Sequence, residues 1–528
     1  MIFDRVKSLD AILATAEKKS LHRSLGPIQL TLLGIGAIIG TGIFVLTAAA
    51  AQKAGPGMMF SFVIAGFVCA VAALCYSELA SMVPVSGSAY TYTYAVMGEL
   101  LAWMVGWALI LEYAVAASAV CVGWSGYVMG LVHSTTGLAL PDFLSSGPAW
   151  GFDGFVPSVD FSHGIINLPA IVVAGLVTWL LVLGTSESAS VNAVLVAVKV
   201  VALTAFIALS LPIIKGENFS PLMPTGFFGE GGLGVVGAAA SIFFAYVGFD
   251  AVSTAAEETK NPQRNVPIGL IGSLGICTIF YLLVAAGVIG TVGAQPITDA
   301  AGNVLSPDGV AFADRCAELK ALGDAPIVCS KEALAETLRI IDFGVVGNLV
   351  GLAASIALPS VILMMIYGQT RIFFVMARDG LLPEKLADVH PKYRTPWKMT
   401  IFTGICVAIA GAFFPVGQLA DISNSGTLFA FFMVAIAVMM LRRKDPGRHR
   451  PFRTPLVWII APLAAIGCLG LYLNLPFVAK MVLPVWGAIG LAIYFLYSRK
   501  HSHVALGLIE VHEQDADVPP QPVPPIKD

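Results

Sequence analysis

A glycine-rich segment near the start of the chain could expose main-chain polar groups within apolar sequence. Gly34, Gly36, Gly40 and Gly42 fall within nine residues, and each glycine inside a helix costs roughly 1 kcal/mol relative to alanine. A second segment that could interrupt a helix, residues 243–250, reads FFAYVGFD. Free N–H groups at a helix break can hold a carboxylate, and free C=O groups can hold an ammonium. The two breaks could therefore bind both ends of an amino-acid zwitterion.

A second interpretation is that these glycines only allow helices to approach closely. Gly36 and Gly40 have the small-xxx-small spacing that is typical of packed membrane helices. Interrupted helices at corresponding positions of two halves, however, are the sequence pattern expected of a transporter binding site. The pairing favours a binding site, and close packing stays open as the alternative for the first segment.

A lysine lies deep inside another apolar segment. Lys199 is about ten residues into the sequence that surrounds it, which is roughly 15 Å along a helix and close to the middle of a membrane. Placing a lysine there costs roughly 2.5–3.5 kcal/mol, so a function is the default hypothesis. The residue could exchange a proton, or it could be permanently paired with main-chain carbonyl groups.

Three carboxylates also fall in apolar sequence. Glu112 could hold a water molecule near a bound substrate, or it could be protonated and only hydrogen-bonded. Asp250 follows the second break and could stabilise the unwound main chain or join a proton route. Glu78 lies near the end of its apolar segment, where a structural role is expected.

The composition identifies the elements that must position these residues. The 528 residues are 57% hydrophobic and 12% charged, with a mean hydropathy of +0.83, whereas a soluble chain would be about 25% charged. Apolar runs of about twenty residues match the thickness of a membrane and predict helices, since strands would alternate. We count twelve runs, centred near residues 37, 68, 111, 175, 201, 244, 282, 363, 407, 434, 464 and 488.

The positive charges predict the orientation. Lys and Arg concentrate at the N-terminus and in residues 260–264, 371–398, 442–453 and 499–500. We therefore expect both termini in the cytoplasm and a multi-pass protein of the inner (plasma) membrane. The charged N-terminal residues argue against a cleaved signal peptide. The net charge of −3 argues against a nucleic-acid partner.

Several motifs together resemble one family. They are GIGAIIGTGIF (34–44), YSELASMVP (76–84), SGSAYTY (86–92), FD (249–250) with EETKNP (257–262), and ARDGLLP (377–383). With these motifs the chain resembles the bacterial form of the cationic amino acid transporter branch of the amino acid–polyamine–organocation superfamily, over about residues 20–500.

The resemblance implies an all-α integral membrane protein of about 12 transmembrane helices with a leucine-transporter-type fold. Helices 1 and 6 would be broken, and two inverted five-helix repeats would be followed by two helices. The expected organisation is a cytoplasmic N-terminus (1–27), a first repeat (28–212), a second repeat (213–441) with an outer loop (294–341), two further helices (442–500) and a disordered cytoplasmic tail (501–528).

The resemblance also implies secondary active transport by alternating access, and it places the substrate. Amides near Gly40, Thr41 and Gly42 would hold the carboxylate, and carbonyl groups near Ile38, Phe244 and Val247 would hold the ammonium. Ala245 and Gly248 belong to the same broken segment. In proton-coupled members of the family, a lysine on the fifth helix occupies the sodium site of relatives, and Lys199 matches it. Protons would then be the coupling ion, through Lys199, Glu112 and Asp250, and no metal or other cofactor is expected.

The side-chain pocket would be lined by the eighth helix, which carries Met364 and Met365. A thioether is bulky and apolar and does not solvate a cationic head group. We therefore expect symport of a small neutral amino acid, with a cationic substrate, an exchanger or a non-transporting sensor as alternatives. The sequence does not give the helix phase that would choose between the two methionines. A small membrane accessory subunit is left open.

The remaining functional classes lack their sequence signatures. No HExxH motif and no glycine-rich phosphate-binding loop occurs, so an enzyme is not expected. Of the eight cysteines, Cys316 and Cys329 fall in the expected outer loop, where an oxidising compartment would permit a disulfide. A bridge and two free thiols are both compatible with the sequence. The other six cysteines are expected to be buried apolar residues of the spans.

Overall fold

The computed structural model describes Arg5 and residues 25–83, 88–153, 156–184, 189–254, 259–323, 325–393 and 395–506. The expectations for most of the N-terminal segment 1–27, for the tail beyond residue 506 and for Glu257 and Glu258 concern residues outside this set.

The described chain folds into a bundle of apolar helices, as predicted. Seven helical stretches are long and apolar enough to cross a membrane by length and composition, and five shorter apolar helices accompany them. The stretch Leu46–Met82 turns at Gly55–Gly57, and its first part completes a broken first helix. The described residues therefore form twelve long helices, of which the first and the sixth are each interrupted.

The first six helices are α1a (Pro27–Ile38) with α1b (Thr41–Phe44 and Leu46–Ala54), α2 (Met58–Met82), α3 (Glu99–Thr136), α4 (Leu168–Val182), α5 (Ala189–Ser210), and α6a (Gly234–Ile242) with α6b (Ala251–Thr254). The next six are α7 (Pro262–Val292), α8 (Gly344–Arg378), α9 (Trp397–Phe413), α10 (Val416–Lys444), α11 (Val457–Leu473) and α12 (Phe477–Ile493).

Short helices and one hairpin connect the twelve long helices. They are the helices Ser88–Met97, Asp142–Ser145, Val310–Ala321 and Ala333–Ile340, and an antiparallel hairpin of β1 (Ala149–Asp153) and β2 (Val156–Asp160). The apolar periodicity of the chain did not predict this hairpin. Two of these short helices, Val310–Ala321 and Ala333–Ile340, lie in the 294–341 segment.

Consecutive long helices run in opposite directions, so that their connections lie at two ends of the bundle. We call the end that carries residues 294–341 the loop end; Arg5 and Ser502 lie at the opposite end, near Glu99. Corresponding helices of the expected repeats pack together: α2 on α7, α3 on α8 and α4 on α9. The repeat boundaries themselves remain predictions.

The distribution of side chains is that of a protein surrounded by lipid. Large apolar residues are exposed on the outer faces of α4 and α5, for example Trp179 and Val201. Cys406 is also exposed, so it departs from the expectation of burial. The interior instead contains charged residues, and each of these needs a partner. Glu78 shows how they are satisfied, because it accepts two hydrogen bonds from Arg442 (2.7 and 2.8 Å) and one from the N–H of Thr454.

Candidate functional site

The first helix is interrupted where the glycines predict it. α1a ends at Ile38, Ile39 and Gly40 are extended, and α1b begins at Thr41. A helix start leaves its first N–H groups without intrahelical acceptors. The N–H groups at the start of α1b are therefore presented in the middle of the bundle, where the sequence predicts a carboxylate.

The sixth helix is interrupted at the predicted segment. A 3-10 turn (Phe243–Tyr246) follows α6a, Val247 is extended, and Gly248 has φ of +114°. That backbone conformation strongly favours glycine. A Cβ on Gly248 would also lie 2.9 Å from the carbonyl oxygen of Ala37 in α1a. Both the conformation and the contact therefore require glycine here.

The two interruptions touch each other. A Cβ on Gly42 would overlap the Cα of Ala245. The residues of the two breaks that are predicted to bind substrate are buried here: Ile38, Gly40, Thr41, Gly42, Phe244, Ala245, Val247 and Gly248. The two interpretations of the glycines are thus compatible, because Gly40 lies at the break while Gly36 approaches α5 closely, with a virtual Cβ 2.9 Å from Val196.

Tyr281 of α7 joins the two broken helices, and the sequence analysis missed it. Its hydroxyl oxygen lies 2.8 Å from the carbonyl oxygen of Ile38 and 2.8 Å from that of Ala245. A tyrosine inside an apolar helix is a weak signal, because most such residues only pack. The hydroxyl binds the main-chain oxygen that the family resemblance assigns to an ammonium.

Helix α8 turns one of the two methionines inward. A Cβ on Gly40 would lie 3.3 Å from Val361, so this face of α8 borders the break in α1. Met365, one helical turn further, is on the same face and only 3% exposed, whereas Met364 is partly exposed. Gly368 continues the face and approaches Tyr113 of α3. The helix phase that the sequence lacked thus places Met365 toward the site.

Lys199 lies at the middle of α5 and is 1% exposed. Its ammonium donates a hydrogen bond of 2.8 Å to the carbonyl oxygen of Gly36 in α1a and lies 3.4 Å from the hydroxyl of Ser360 in α8. A single cation therefore bridges the first, fifth and eighth helices. Ser360 is a further site residue that the sequence analysis did not select.

Two predicted carboxylates lie near each other, between α3, α6 and α10. Tyr113 donates a hydrogen bond of 2.8 Å to Asp250, the residue that ends the break in α6. Glu112 is fully buried, and neither of its carboxylate oxygens has a hydrogen-bond partner among the described residues. Thr427 of α10 is nearby, and its hydroxyl donates to the main-chain carbonyl oxygen of Ser423, one turn earlier in α10, at 3.2 Å. The site therefore contains a carboxyl group that could take up a proton or a cationic partner.

A second charged group, missed by the sequence analysis, lies toward the loop end. Lys53 of α1b forms a buried ion pair of 2.9 Å with Asp421 of α10 and donates a hydrogen bond of 2.5 Å to Ser241 of α6a. The signal was present in the sequence, because Asp421 opens a polar run (DISNSGT) in an otherwise apolar span.

The loop end carries two further features. Cys316 and Cys329 are joined in a disulfide across a sequence separation of 13 residues. His163 pairs with Asp314 at 2.7 Å, and together with Asp160 these residues bring three donor atoms within 4.8 Å of one another. A hydrogen bond between His163 and Asp314 holds two of these side chains together.

Comparison with known proteins identifies the family. The family model described as amino acid permease matches residues 25–497. The branched-chain amino acid permease BcaP of Bacillus subtilis is 44% identical over 95% of this chain and 98% of its own length. The methylthioribose transporter of the same organism is 40% identical over 94% of this chain and 98% of its own length. A vacuolar cationic amino acid transporter of Arabidopsis thaliana is 34% identical over 84% of this chain and 64% of its own length. With a broken-helix site at its centre and similarity along nearly its whole length, the chain belongs to the amino acid permease family of the amino acid–polyamine–organocation superfamily.

Proposed function

We propose that the protein imports a neutral amino acid together with a proton, by alternating access around the broken segments of α1 and α6. The observation that carries the proposal is Lys199, whose buried ammonium bridges Gly36 and Ser360 in the middle of the bundle. A cation at this depth is expensive. Deprotonation would weaken the hydrogen bond to the carbonyl oxygen of Gly36, since a neutral amine is a weaker donor than an ammonium, and would make it easier for α1a to move.

This arrangement couples the proton to the substrate through one helix. The carbonyl oxygen of Gly36 belongs to the last turn of α1a, and substrate amides follow at the start of α1b. Protonated Lys199 would hold α1 in the shape that binds substrate. Release of this proton to the solution at the opposite end of the bundle would destabilise the substrate-binding conformation, and the substrate would then dissociate.

The residues beside the break in α1 support a small, uncharged substrate side chain. Met365 and Val361 present apolar groups beside the break in α1, and an apolar wall disfavours a cationic side chain. The similarity to a branched-chain amino acid permease supports a neutral aliphatic substrate. Alanine is the smallest member of this class that we expect to be accepted.

The loop end would face the outside of the cell. Lys260, Arg264, Arg371 and Arg499 all lie toward the opposite end, in or beside the ends of α7, α8 and α12, and positive residues concentrate on the cytoplasmic side. Both termini would then be cytoplasmic and the protein would lie in the plasma membrane. The disulfide at the loop end is compatible with this orientation.

Uptake into proteoliposomes tests the function. A gradient of pH, acid outside, should drive accumulation of labelled alanine or of a branched-chain amino acid and acidify the lumen. Replacement of sodium by choline should change nothing. A strict sodium requirement would contradict proton coupling, and absence of saturable counterflow for all amino acids would indicate a sensor.

A cationic amino acid is the second candidate substrate, and Glu112 favours it. Its carboxylate is buried without a hydrogen-bond partner among the described residues, so a cationic side chain could supply the missing charge. Competition of alanine uptake by excess arginine separates the candidates. A neutral-substrate transporter should show little inhibition, and Glu112→Gln should not change its preference.

A further inference from the structure

Lys53, Asp421 and Asp308 come together at the loop end of the site. Lys53 is 3% and Asp421 is 2% exposed, and their ion pair ties α1b to α10. One turn along α10, the amide of Asn424 donates hydrogen bonds to the carbonyl oxygens of Ala240 and Ser241, at 2.8 and 2.9 Å. Those two carbonyl groups belong to the last turn of α6a, immediately before the break. The outer halves of both broken helices are therefore fixed to α10.

The loop segment is fixed to the same point. The side chain of Gln52, next to Lys53, is fully buried and donates to the carbonyl oxygens of Ile297 and Leu305 at 2.9 and 2.8 Å. It also accepts a hydrogen bond of 2.8 Å from the N–H of Ile297. These three bonds hold residues 297–305 over the end of α1b.

The turn that follows brings a second carboxylate to the ion pair. Asp308 lies over Gly417, in the first turn of α10, so closely that any side chain at Gly417 would collide with its carboxylate oxygens. A helix N-terminus attracts an anion. Asp308 also interacts electrostatically with Lys53 and Asp421. The cluster thus holds two carboxylates for one lysine, and one carboxylate oxygen of Asp421 is buried without a hydrogen-bond partner among the described residues.

We propose that Asp308, Lys53 and Asp421 form a latch that closes the loop end of the site and takes up one proton from the outer solution as it closes. With both carboxylates ionised the closed latch carries one uncompensated negative charge beside the buried Lys53–Asp421 pair, on an aspartate that is itself partly exposed. A single proton on Asp308 removes that charge and leaves the Lys53–Asp421 pair intact. The latch rests on the proposed alternating access, since closing matters only if the loop end also opens.

The direction of the pH dependence follows from linkage. Burial raises the pKa of Asp308 to about 7 in the closed latch; Lys53 opposes this rise and Asp421 adds to it. In an open, solvated loop an aspartate has a pKa near ~3.9. The closed state then binds the proton more tightly, so acid outside favours closing and closing is weakened as the pH rises through about 7. A low external pH would in this way favour closing of the loop end after the substrate has bound.

Distances between two spin labels test the latch without any transport measurement. Ala301→Cys in the turn of the loop and Leu138→Cys after α3 are both exposed sites, and Cys406→Ser removes the exposed native thiol. In nanodiscs we expect one closed distance at pH 5 and a longer second distance above pH 7. Between pH 5 and about 7 the ratio of the longer to the closed distance should rise by up to about tenfold per pH unit, as for one proton, and it should level off at higher pH.

Two variants decide which group binds the proton. Asp308→Asn should keep the closed distance at every pH, whereas Asp314→Asn, in the same segment but paired with His163, should keep the wild-type profile. Asp421→Asn should move the midpoint to lower pH, because the repulsion from Asp421 is lost. An unchanged midpoint in Asp308→Asn, or a single distance at all pH values in the wild type, overturns the latch. A titrating distance in a protein that fails pH-driven uptake would instead overturn only the proposed coupling.

Discussion

The hydroxyl of Tyr281 lies 2.8 Å from the carbonyl oxygen of Ile38, the last residue of α1a. The same hydroxyl lies 2.8 Å from the carbonyl oxygen of Ala245 in the break of α6. One side chain of α7 thus connects the two segments that are proposed to surround the substrate. Its removal should disturb both breaks at once.

Tyr281→Phe should therefore lower the affinity for substrate and the stability of the empty protein. Leaving a buried carbonyl group unsatisfied costs about 1–3 kcal/mol. We expect a lower melting temperature and a higher Michaelis constant in uptake assays. Tyr472→Phe is the matched control, since Tyr472 donates to a carbonyl group of Lys480 at the loop end. Equal effects of the two substitutions would mean that Tyr281 has no special role at the breaks.

Lys199→Ala should abolish uphill uptake driven by a pH gradient while the protein still folds. The variant lacks the cation that bridges Gly36 and Ser360, so a proton gradient could no longer act on α1a. Downhill counterflow can persist. Lys480→Ala, which removes a lysine–carbonyl bond at the loop end, should accumulate substrate normally. Accumulation and lumen acidification by Lys199→Ala would rule out the assignment.

Gly42→Ala should destabilise the contact between the two breaks. The added methyl group would overlap the main chain of Ala245, and overpacking of this kind costs about 1–3 kcal/mol. Gly175→Ala in α4 is the control, because no atom of the described residues lies within 4 Å of a Cβ there. Helix propensity predicts that it is stabilising by up to about 1 kcal/mol. Thermal unfolding in detergent measures both effects, and similar melting temperatures for the two variants would contradict this packing.

Met365→Ser should change substrate selection, whereas Met364→Ser should not. Met365 is on the helix face that borders Gly40, and Met364 is partly exposed. The smaller, polar residue would admit larger or cationic amino acids. Competition of alanine uptake by a panel of amino acids gives the answer. If only the Met364 variant shifts the panel, the pocket wall has been assigned to the wrong face.

Loss of the Cys316–Cys329 bridge should lower stability without changing the site. Closing a loop with a sequence separation of 13 residues contributes about 3 kcal/mol on the chain-entropy model. Cys316→Ser with Cys329→Ser should unfold at a lower temperature and still bind substrate. Thiol labelling of the denatured, non-reduced wild type should find six reactive cysteines; eight would show that the bridge does not form.

The sequence alone determined the class of protein, the approximate positions of the twelve apolar helices and the places where two helices break. These properties are local: apolar length specifies a membrane helix, and glycine weakens it where it stands. The depth of Lys199 could be read in the same way, because distance along a helix is proportional to residue number. The family resemblance then indicated which of these residues form one site.

Only the tertiary structure decided which distant residues meet. Tyr281 and Ile38 are 243 residues apart, and Lys53 and Asp421 are 368 apart. Such contacts depend on the rotation, tilt and register of packed helices, and no local pattern encodes these. The same reason left the choice between Met364 and Met365 open until the phase of α8 was known. Because a buried charge is tolerated only beside a partner, the fold had to supply what the sequence could not name: Asp421 for Lys53, and Gly36 for Lys199.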